Sequence, residues 1–329
     1  MALYIGKRVL YGFIAIWIIS ILSFIIIQLP PGDYVSSYIA NLAAQGSSLD
    51  QAEAENLRIF YGLDKPWHIQ YLKWASRIVT GDLGYSFEWE KPVMSVIQGR
   101  ILTTVLLALF ALVFTWLFAI PIGIYSAVHK YSIGDYLATF LGFLGLAIPD
   151  FLIALIAMWF GYSIFGWSVG GLFSPEFGTA PWSIAKFLDL MKHLWVPVII
   201  LGTAGMAAMI RVVRANLLDE LSKPYVVTAR AKGISEWKLI MKYPVRMALN
   251  PVISMSAYLL PYLISGSVIV SVVLSLPTLG PTLLKSLLSQ DSYLAGGIIF
   301  LIGIFTILGT LISDLLLLWI DPRIKFEAR

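Results

Sequence analysis

The chain has 329 residues, of which 59% are hydrophobic and 13% charged, against about 45–50% and about 25% for a soluble domain, so the composition excludes an ordinary soluble fold. It carries a net charge of +4 and no cysteine, and its three histidines, His68, His129 and His193, are scattered, which leaves neither a disulfide framework nor a metal cluster. The positive charges flank apolar segments instead of forming a soluble basic face, so they point to membrane orientation and membrane lipid and away from nucleic acid.

Crossing a hydrocarbon core of about 30 Å takes about 20 mostly apolar residues. Six stretches qualify: 9–29, 101–128, 136–160, 194–210, 252–273 and 296–320, with Asp150 and Asp314 as their only charges. The predicted fold is an all-α membrane protein with six transmembrane helices. The first stretch exceeds a signal-peptide core and no small-residue cleavage site follows it, so it is read as a retained helix. Lysine and arginine concentrate on the cytoplasmic side of short loops. Lys7, Arg8, Lys130, Arg323, Lys325 and Arg329 join eight more within 211–250 on the side of the N-terminus. Both termini are therefore expected in the cytoplasm, with the chain in the cell inner membrane.

Residues 30–100 are too long for a connection and too amphipathic for a linker. Helical spacing predicts one helix over 49–61, with Gly62 as its left-handed C′ residue, and a second over 66–79; Gly81-Asp82-Leu83-Gly84 reads as a turn. This segment is expected to be a small extracytoplasmic helical subdomain, either a structural cap or a docking surface. The chain then divides as 1–29 (N-terminus and first helix), 30–100, a five-helix core over 101–320 and a tail over 321–329.

Residues 211–250 are not a simple connector either. Tyr225 to Lys232 predicts a helix, Gly233 a left-handed turn, and Ser235 the cap of a second helix that starts at Glu236 and ends where Pro244 intervenes. Trp237, Ile240 and Met241, at i, i+3 and i+4, are expected to form one apolar face of a helix lying parallel to the membrane. No Gly-x-x-x-x-Gly-Lys-[Ser/Thr] phosphate cradle and no catalytic carboxylate pair or Ser/His/Asp set occurs, so the chain is not expected to hydrolyse ATP itself.

The run from Tyr225 to Gly233 (YVVTARAKG), followed by Lys242-Tyr-Pro-Val-Arg246 and Asn250-Pro251, resembles the cytoplasmic EAA loop of binding-protein-dependent ABC importer permeases. Pro31-Gly-Asp33, Tyr61-Gly-Leu-Asp-Lys-Pro66, Gln70-Tyr71, Gly81-Asp-Leu-Gly84, Lys91-Pro-Val93 and Asp321-Pro-Arg-Ile324 are similar to the dipeptide, oligopeptide and nickel permeases, so the resemblance covers nearly the whole chain. It implies a type I ABC importer permease fold, a second homologous permease subunit, two ATP-binding subunits that carry ATP and Mg, and an extracytoplasmic solute-binding protein. It also implies that Thr228, Ala229, Arg230, Ala231, Lys232, Gly233, Glu236 and Trp237 form the loop that couples to the ATPase. The alanines and glycine permit close approach there, and Arg230, Lys232 and Glu236 can pair with a partner's charges. The sequence departs from the family where Thr228 to Ala231 replaces the glutamate and two alanines, and where Gln290 precedes Asp291 in place of arginine. Gln28-Leu-Pro-Pro-Gly-Asp33, Gly170-Gly-Leu-Phe-Ser-Pro175 and Ala180-Pro-Trp182 look more like members serving oligosaccharides than peptides, which leaves both solute classes open.

Candidate pathway groups are fewer. Asp150, behind Pro149 in the third span, is either a pathway residue or a partner for backbone groups that the proline frees. Ser267, Ser271 and Ser275 recur every four residues and either line a polar channel or allow close helix packing. Asp314 and Asp321 read as structural, and Trp159, Trp167, Trp182 and Trp195 as interfacial anchors, with sugar stacking as the alternative for the tryptophans. Two other functional classes stay open: a secondary transporter, which would need inverted repeats that the halves do not show, and a membrane receptor or scaffold.

Overall fold

A computed structural model describes residues 2–28, 34–44, 50–61, 63–167, 169–255 and 268–320. Asp33, Gly62, Ser267, Asp321, most of the predicted fifth span and the tail over 321–329 lie outside the described residues. The chain divides into two units, Ala2–Thr104 with Pro277–Ile307, and Val105–Leu276 with Leu308–Arg329.

The first unit is built on α1 (Ala2–Gln28), α2 (Tyr34–Ala44), α3 (Gln51–Tyr61) and α4 (Trp67–Ile78). A two-stranded hairpin follows, β1 (Tyr85–Ser86) against β2 (Lys91–Pro92), and leads into α5 (Val93–Val128). The Gly81 turn closes α4 as expected: Gly81 has φ +82° and Asp82 N–H donates to the Arg77 carbonyl, a backbone that glycine adopts without steric cost. Trp74 is buried at the centre of an apolar cluster with Phe24, Leu83, Ile97, Leu294 and Ile298, and its indole N–H donates to the Leu83 carbonyl at 3.2 Å. The last long helix, α14 (Ser292–Ile320), meets α1 through glycines, since a Cβ on Gly12 would lie 3.0 Å from Ile307 and one on Gly303 3.0 Å from Ile19. Small residues let helices approach closely where lipid supplies no hydrophobic drive between them.

Buried Asp291 ties this unit together. One carboxylate oxygen accepts the Leu294 N–H at 3.1 Å, capping α14, and the other accepts the Ser86 hydroxyl at 2.6 Å and the Glu88 N–H at 3.1 Å, holding the hairpin. Nearby, Thr104 accepts the Leu279 N–H at 2.9 Å and so caps α13 (Leu279–Leu288) from another helix.

The second unit holds the remaining apolar helices. Two corrections to the sequence expectations arise here. The predicted span over 136–160 is two helices, α6 (Ile133–Ala147) and α7 (Asp150–Phe165), turned 96° at the break between them. Pro149 is the cause: it has no N–H to give to the helix and pushes the preceding residue out of the α region, and Ile148 is extended at φ −91°, ψ 121°. The span over 194–210, read as the shortest, lies inside the 38-residue α8 (Ile184–Leu221), which bends by 49° between Thr203 and Gly205. The Thr203 hydroxyl donates back to the Ile199 carbonyl at 2.5 Å beside Gly202, which fits the known causes of helix bends. Among the described residues, three single helices are long and apolar enough to cross a membrane, and each bent pair can supply one more crossing.

Glycines again set the packing. A Cβ on Gly145 would meet Thr203 at 3.3 Å, one on Gly123 would meet Val213 at 2.7 Å and one on Gly202 would meet Phe114 at 2.5 Å. Gly123→Leu is expected to force α5 and α8 apart and to lower the melting temperature, whereas the same change at Gly99, which meets nothing within 4 Å, is expected to leave it unchanged; thermal unfolding of both variants in detergent checks this. Asp291→Ala removes the α14 cap and leaves the Ser86 hydroxyl and Glu88 N–H unpaired. Caps contribute about 1 kcal/mol and each orphaned buried group costs about 1–3 kcal/mol, so the hairpin over 85–92 should become a protease-sensitive site.

Candidate functional site

The segment after α8 folds into three short helices, α9 (Pro224–Ala231), α10 (Glu236–Lys242) and α11 (Pro244–Ala248). Pro224 starts α9, where its missing N–H costs nothing, and Pro244 starts α11 in the same way. Gly233 turns the chain between α9 and α10 at φ +75°, with its N–H on the Arg230 carbonyl at 3.0 Å. A side chain there would meet no neighbouring atom, so the glycine is required by its backbone and not by space. Ser235 occupies the cap position of α10, but its hydroxyl makes no capping bond, contrary to the expectation.

The inner face of this hairpin is Val226, Leu239 and Ile240, packed with Val245, Ala248, Leu217 and Ala127 in one apolar cluster. The predicted face of Trp237, Ile240 and Met241 is thus corrected. Ile240 is 3% exposed, but Trp237 is 70% and Met241 42% exposed, and Leu239 takes the buried place beside Ile240. In a helix of seven residues, packing against α8 and α11 decides which side is inward, and spacing alone does not.

The outer face combines exposed apolar and charged groups: Tyr225, Val227, Thr228, Ala231, Lys232, Gly233 and Trp237 all lie on the surface. Ala229 is half-buried against the inner cluster. Arg230 and Glu236 pair with each other through two bonds of 3.0 and 2.5 Å, so they join the two helices across the Gly233 turn. At the root of α9, Glu220 accepts from Lys223 at 2.6 Å and from the Tyr225 hydroxyl at 2.5 Å. Burial first, and then the Glu220 carboxylate, push the Tyr225 phenol above its ordinary range.

The segment rests on a buried ion pair that the sequence reading did not find. Asp135, in the first turn of α6, accepts two bonds of 2.8 Å from the Arg214 guanidinium on α8, a third from the Ser126 hydroxyl and a fourth from the Tyr131 N–H at 2.9 Å. Its side chain is 3% exposed and that of Arg214 is 26%. The four donors satisfy a buried carboxylate fully, in the bidentate geometry that favours arginine over lysine. One signal was present in the sequence: Ser132-Ile-Gly-Asp135 before an apolar run is a helix-start pattern, and Ser132 does accept the Asp135 N–H at 3.2 Å.

The candidate pathway residues are not brought together. Asp150 is the first residue of α7, half-buried at the 96° break. Ser271 lies on α12 (Val268–Val273), fully buried, and its hydroxyl has no hydrogen-bond partner among the described residues. Ser275 does not continue that row. The helix stops at Val273, Ser275 takes a left-handed φ of +52° and Leu276 N–H closes back on the Ser271 carbonyl at 2.8 Å, which leaves Ser275 exposed in the turn. Of the other groups read as structural or interfacial, Trp159, Trp167, Trp182 and Trp195 are exposed, with Trp182 also edge-on to Phe173 at 6.0 Å. Among the described residues no group of three or more metal-ligating side chains is gathered.

Asp135→Asn leaves Arg214 without its counter-charge, and removing one partner of a buried pair costs about 3–5 kcal/mol. Thermal unfolding should show a large loss for Asp135→Asn and a smaller one for the apolar double replacement Asp135→Leu/Arg214→Met. The Arg230 guanidinium holds the Glu236 carboxyl below its ordinary value of about 4.3. A depressed carboxylate adds stability above that value and loses it as pH falls through the lower folded one. Protection of the Gly233 amide, corrected for intrinsic exchange, is therefore expected to hold from pH 8 to 5 and to fall below about pH 4, and Arg230→Gln should remove the step.

Two family models cover nearly all of the chain: the binding-protein-dependent transport system inner membrane component matches residues 119–326, and the N-terminal part of the corresponding membrane component matches residues 1–109. The chain is similar to the oligopeptide transport system permease protein AppB of Bacillus subtilis, at 35% identity over 99% of this chain and 100% of that one. A putative peptide permease protein of Brucella ovis matches at 33% over 99% of both chains, and the glutathione transport system permease protein GsiC of Salmonella paratyphi A at 31% over 98% and 99%. With its apolar helices and these matches over its full length, the chain belongs to the multi-pass inner-membrane permeases of binding-protein-dependent ABC importers, in the peptide and nickel family.

Proposed function

We propose that this permease translocates an oligopeptide handed over by an extracytoplasmic solute-binding protein, and that the energy comes from ATP hydrolysed on two separate subunits docked against α9 and α10. It works as a pair with a second, homologous permease, with both termini and the 211–250 segment in the cytoplasm and the 30–100 segment outside. It performs no catalysis itself; ATP and Mg belong to the partner subunits. The relatives named for oligopeptide and glutathione transport favour peptides over the oligosaccharides that the loop phrases at Gly170 and Ala180 left open.

The observation that carries this reading is the two-sided hairpin. Its inner face of Val226, Leu239 and Ile240 is packed into the ends of α5, α8 and α11, while its outer face offers Trp237, Val227 and Tyr225 beside charged groups. An exposed apolar patch with a polar rim marks an interaction surface. Because the hairpin is braced by Arg230 with Glu236 and rooted on the helix that holds Arg214, a push on the outer face moves α8 and does not only deform a loop. Rigid elements of this kind transmit domain motion.

The test is ATP-dependent uptake by the complete importer in proteoliposomes, across free peptides and oligosaccharides of similar size. Proline fixes φ near −65° and is incompatible with the +75° of Gly233, so Gly233→Pro is expected to cut uptake at least about tenfold while ATP hydrolysis persists. Gly233→Asn, which tolerates the left-handed region, should keep most of the activity. Normal uptake by Gly233→Pro would refute the coupling role, uptake without the ATPase subunits would make the chain a secondary transporter, and uptake of oligosaccharides alone would overturn the solute class.

A further inference from the structure

A cavity of about 340 Å³ lies within the first unit, at the side of α4. Its accessible floor is aromatic, formed by Phe60, Tyr85 and Tyr293 with buried Trp74 and Phe87 behind them, and its charged lining is entirely cationic: Lys65, Lys73 and Arg77. The selection is strong. Among the described residues of 30–100, the acids are Asp50, Glu53, Glu55, Asp64, Asp82, Glu88 and Glu90, and none of them lines the cavity. Among the described residues, none of the three cations has a carboxylate within ion-pair distance, although Glu88 pairs with Lys285 and Glu55 with Arg58 close by in sequence.

Two of these cations are also pressed together. The Lys73 ammonium is held below its ordinary value first by its contact with Lys65, with Arg77 adding to the same effect and Asp64 only partly opposing it. Like charges gathered on one concave surface repel, and an anion between them removes the repulsion. The volume suits a small organic ligand, and the mixture of apolar floor and few convergent charges is the usual composition of such a site. An aromatic floor contributes nothing to a bare inorganic ion but does bind an apolar body carrying the negative charge.

We infer that this cavity binds the free carboxylate end of a small peptide, with Lys73 and Arg77 holding the carboxylate and Phe60, Tyr85 and Tyr293 contacting an apolar side chain. The peptide identity of the ligand rests on the transport reading given above, and so does its side of the membrane, since that reading puts the 30–100 segment outside, where solute arrives before translocation. An anionic lipid headgroup is the competing occupant.

The test is isothermal titration of the importer assembled from both permeases and both ATPase subunits, without its solute-binding protein and without nucleotide, in phosphatidylcholine nanodiscs, using Ala-Ala-Phe and its C-terminal amide as probes. The free acid is expected to bind at least about tenfold more tightly than the amide, and Lys73→Gln/Arg77→Gln is expected to bring the acid down to the level of the amide. Lys91→Gln, outside the cavity, removes one positive charge elsewhere in the segment and should bind like the unaltered protein. Assembly and basal ATP hydrolysis, which should be unchanged in all variants, show that they are folded. Equal binding of acid and amide, or undiminished acid binding by the double variant, overturns the site. So does loss of bound phosphatidylglycerol by that variant, read in parallel nanodiscs that contain this lipid, with peptide binding intact, because the occupant is then lipid. Failure of ATP-driven peptide uptake with acid binding preserved would refute the transport reading and leave the site standing.

Discussion

A backbone in lipid has no water to bind, so each N–H and C=O must find a partner within the protein. That constraint accounts for the helical content of the chain and for how its interruptions are treated. Where α12 ends, Ser275 takes a left-handed turn and Leu276 N–H goes to Ser271. Asp291 and Thr104 supply side-chain acceptors to the starts of α14 and α13. The break at Pro149 is the largest departure, and it sits where a proline makes a continuous helix impossible.

The same medium removes the hydrophobic drive between helices, so close contact must come from shape and from polar pairs. Gly123, Gly145 and Gly202 bring α5, α6 and α8 together, and Asp135 with Arg214 locks α6 to α8. Since α8 runs directly into the α9–α10 hairpin, the helix that would receive the proposed push is also the one that the buried ion pair ties to α6. The proposed coupling thus rests on stiffness, with Arg230 and Glu236 bracing the hairpin and Val226, Leu239 and Ile240 seating it.

Much of this was legible in the amino-acid sequence wherever the cause is local. Hydropathy located the apolar segments, glycine chemistry located the turns at Gly81 and Gly233, and the motifs around Tyr225 and Pro244 located the helical hairpin. What was not legible depends on distance or on averaging. Asp135 and Arg214 are 79 residues apart, and Ser86 and Asp291 are 205 apart, so no window contains either pair. A hydropathy window runs smoothly over Pro149 and hides a 96° turn that the single residue dictates. The orientation of α10 failed for another reason: seven residues with Trp237, Leu239, Ile240 and Met241 offer apolar groups on more than one side, and only packing selects the inner one.

The chain contains no cysteine, so a single introduced thiol reports on one position without interference. The most direct test of the account is bifunctional cross-linking of the assembled importer from Trp237→Cys on the outer face of α10, compared with Leu239→Cys on the inner face and Tyr136→Cys on exposed α6. The account predicts a covalent adduct with the ATPase subunit from position 237, changing in yield with ATP, and none from positions 239 or 136. Absence of that adduct in an assembly that hydrolyses ATP, or an equal yield from Tyr136→Cys, would contradict it.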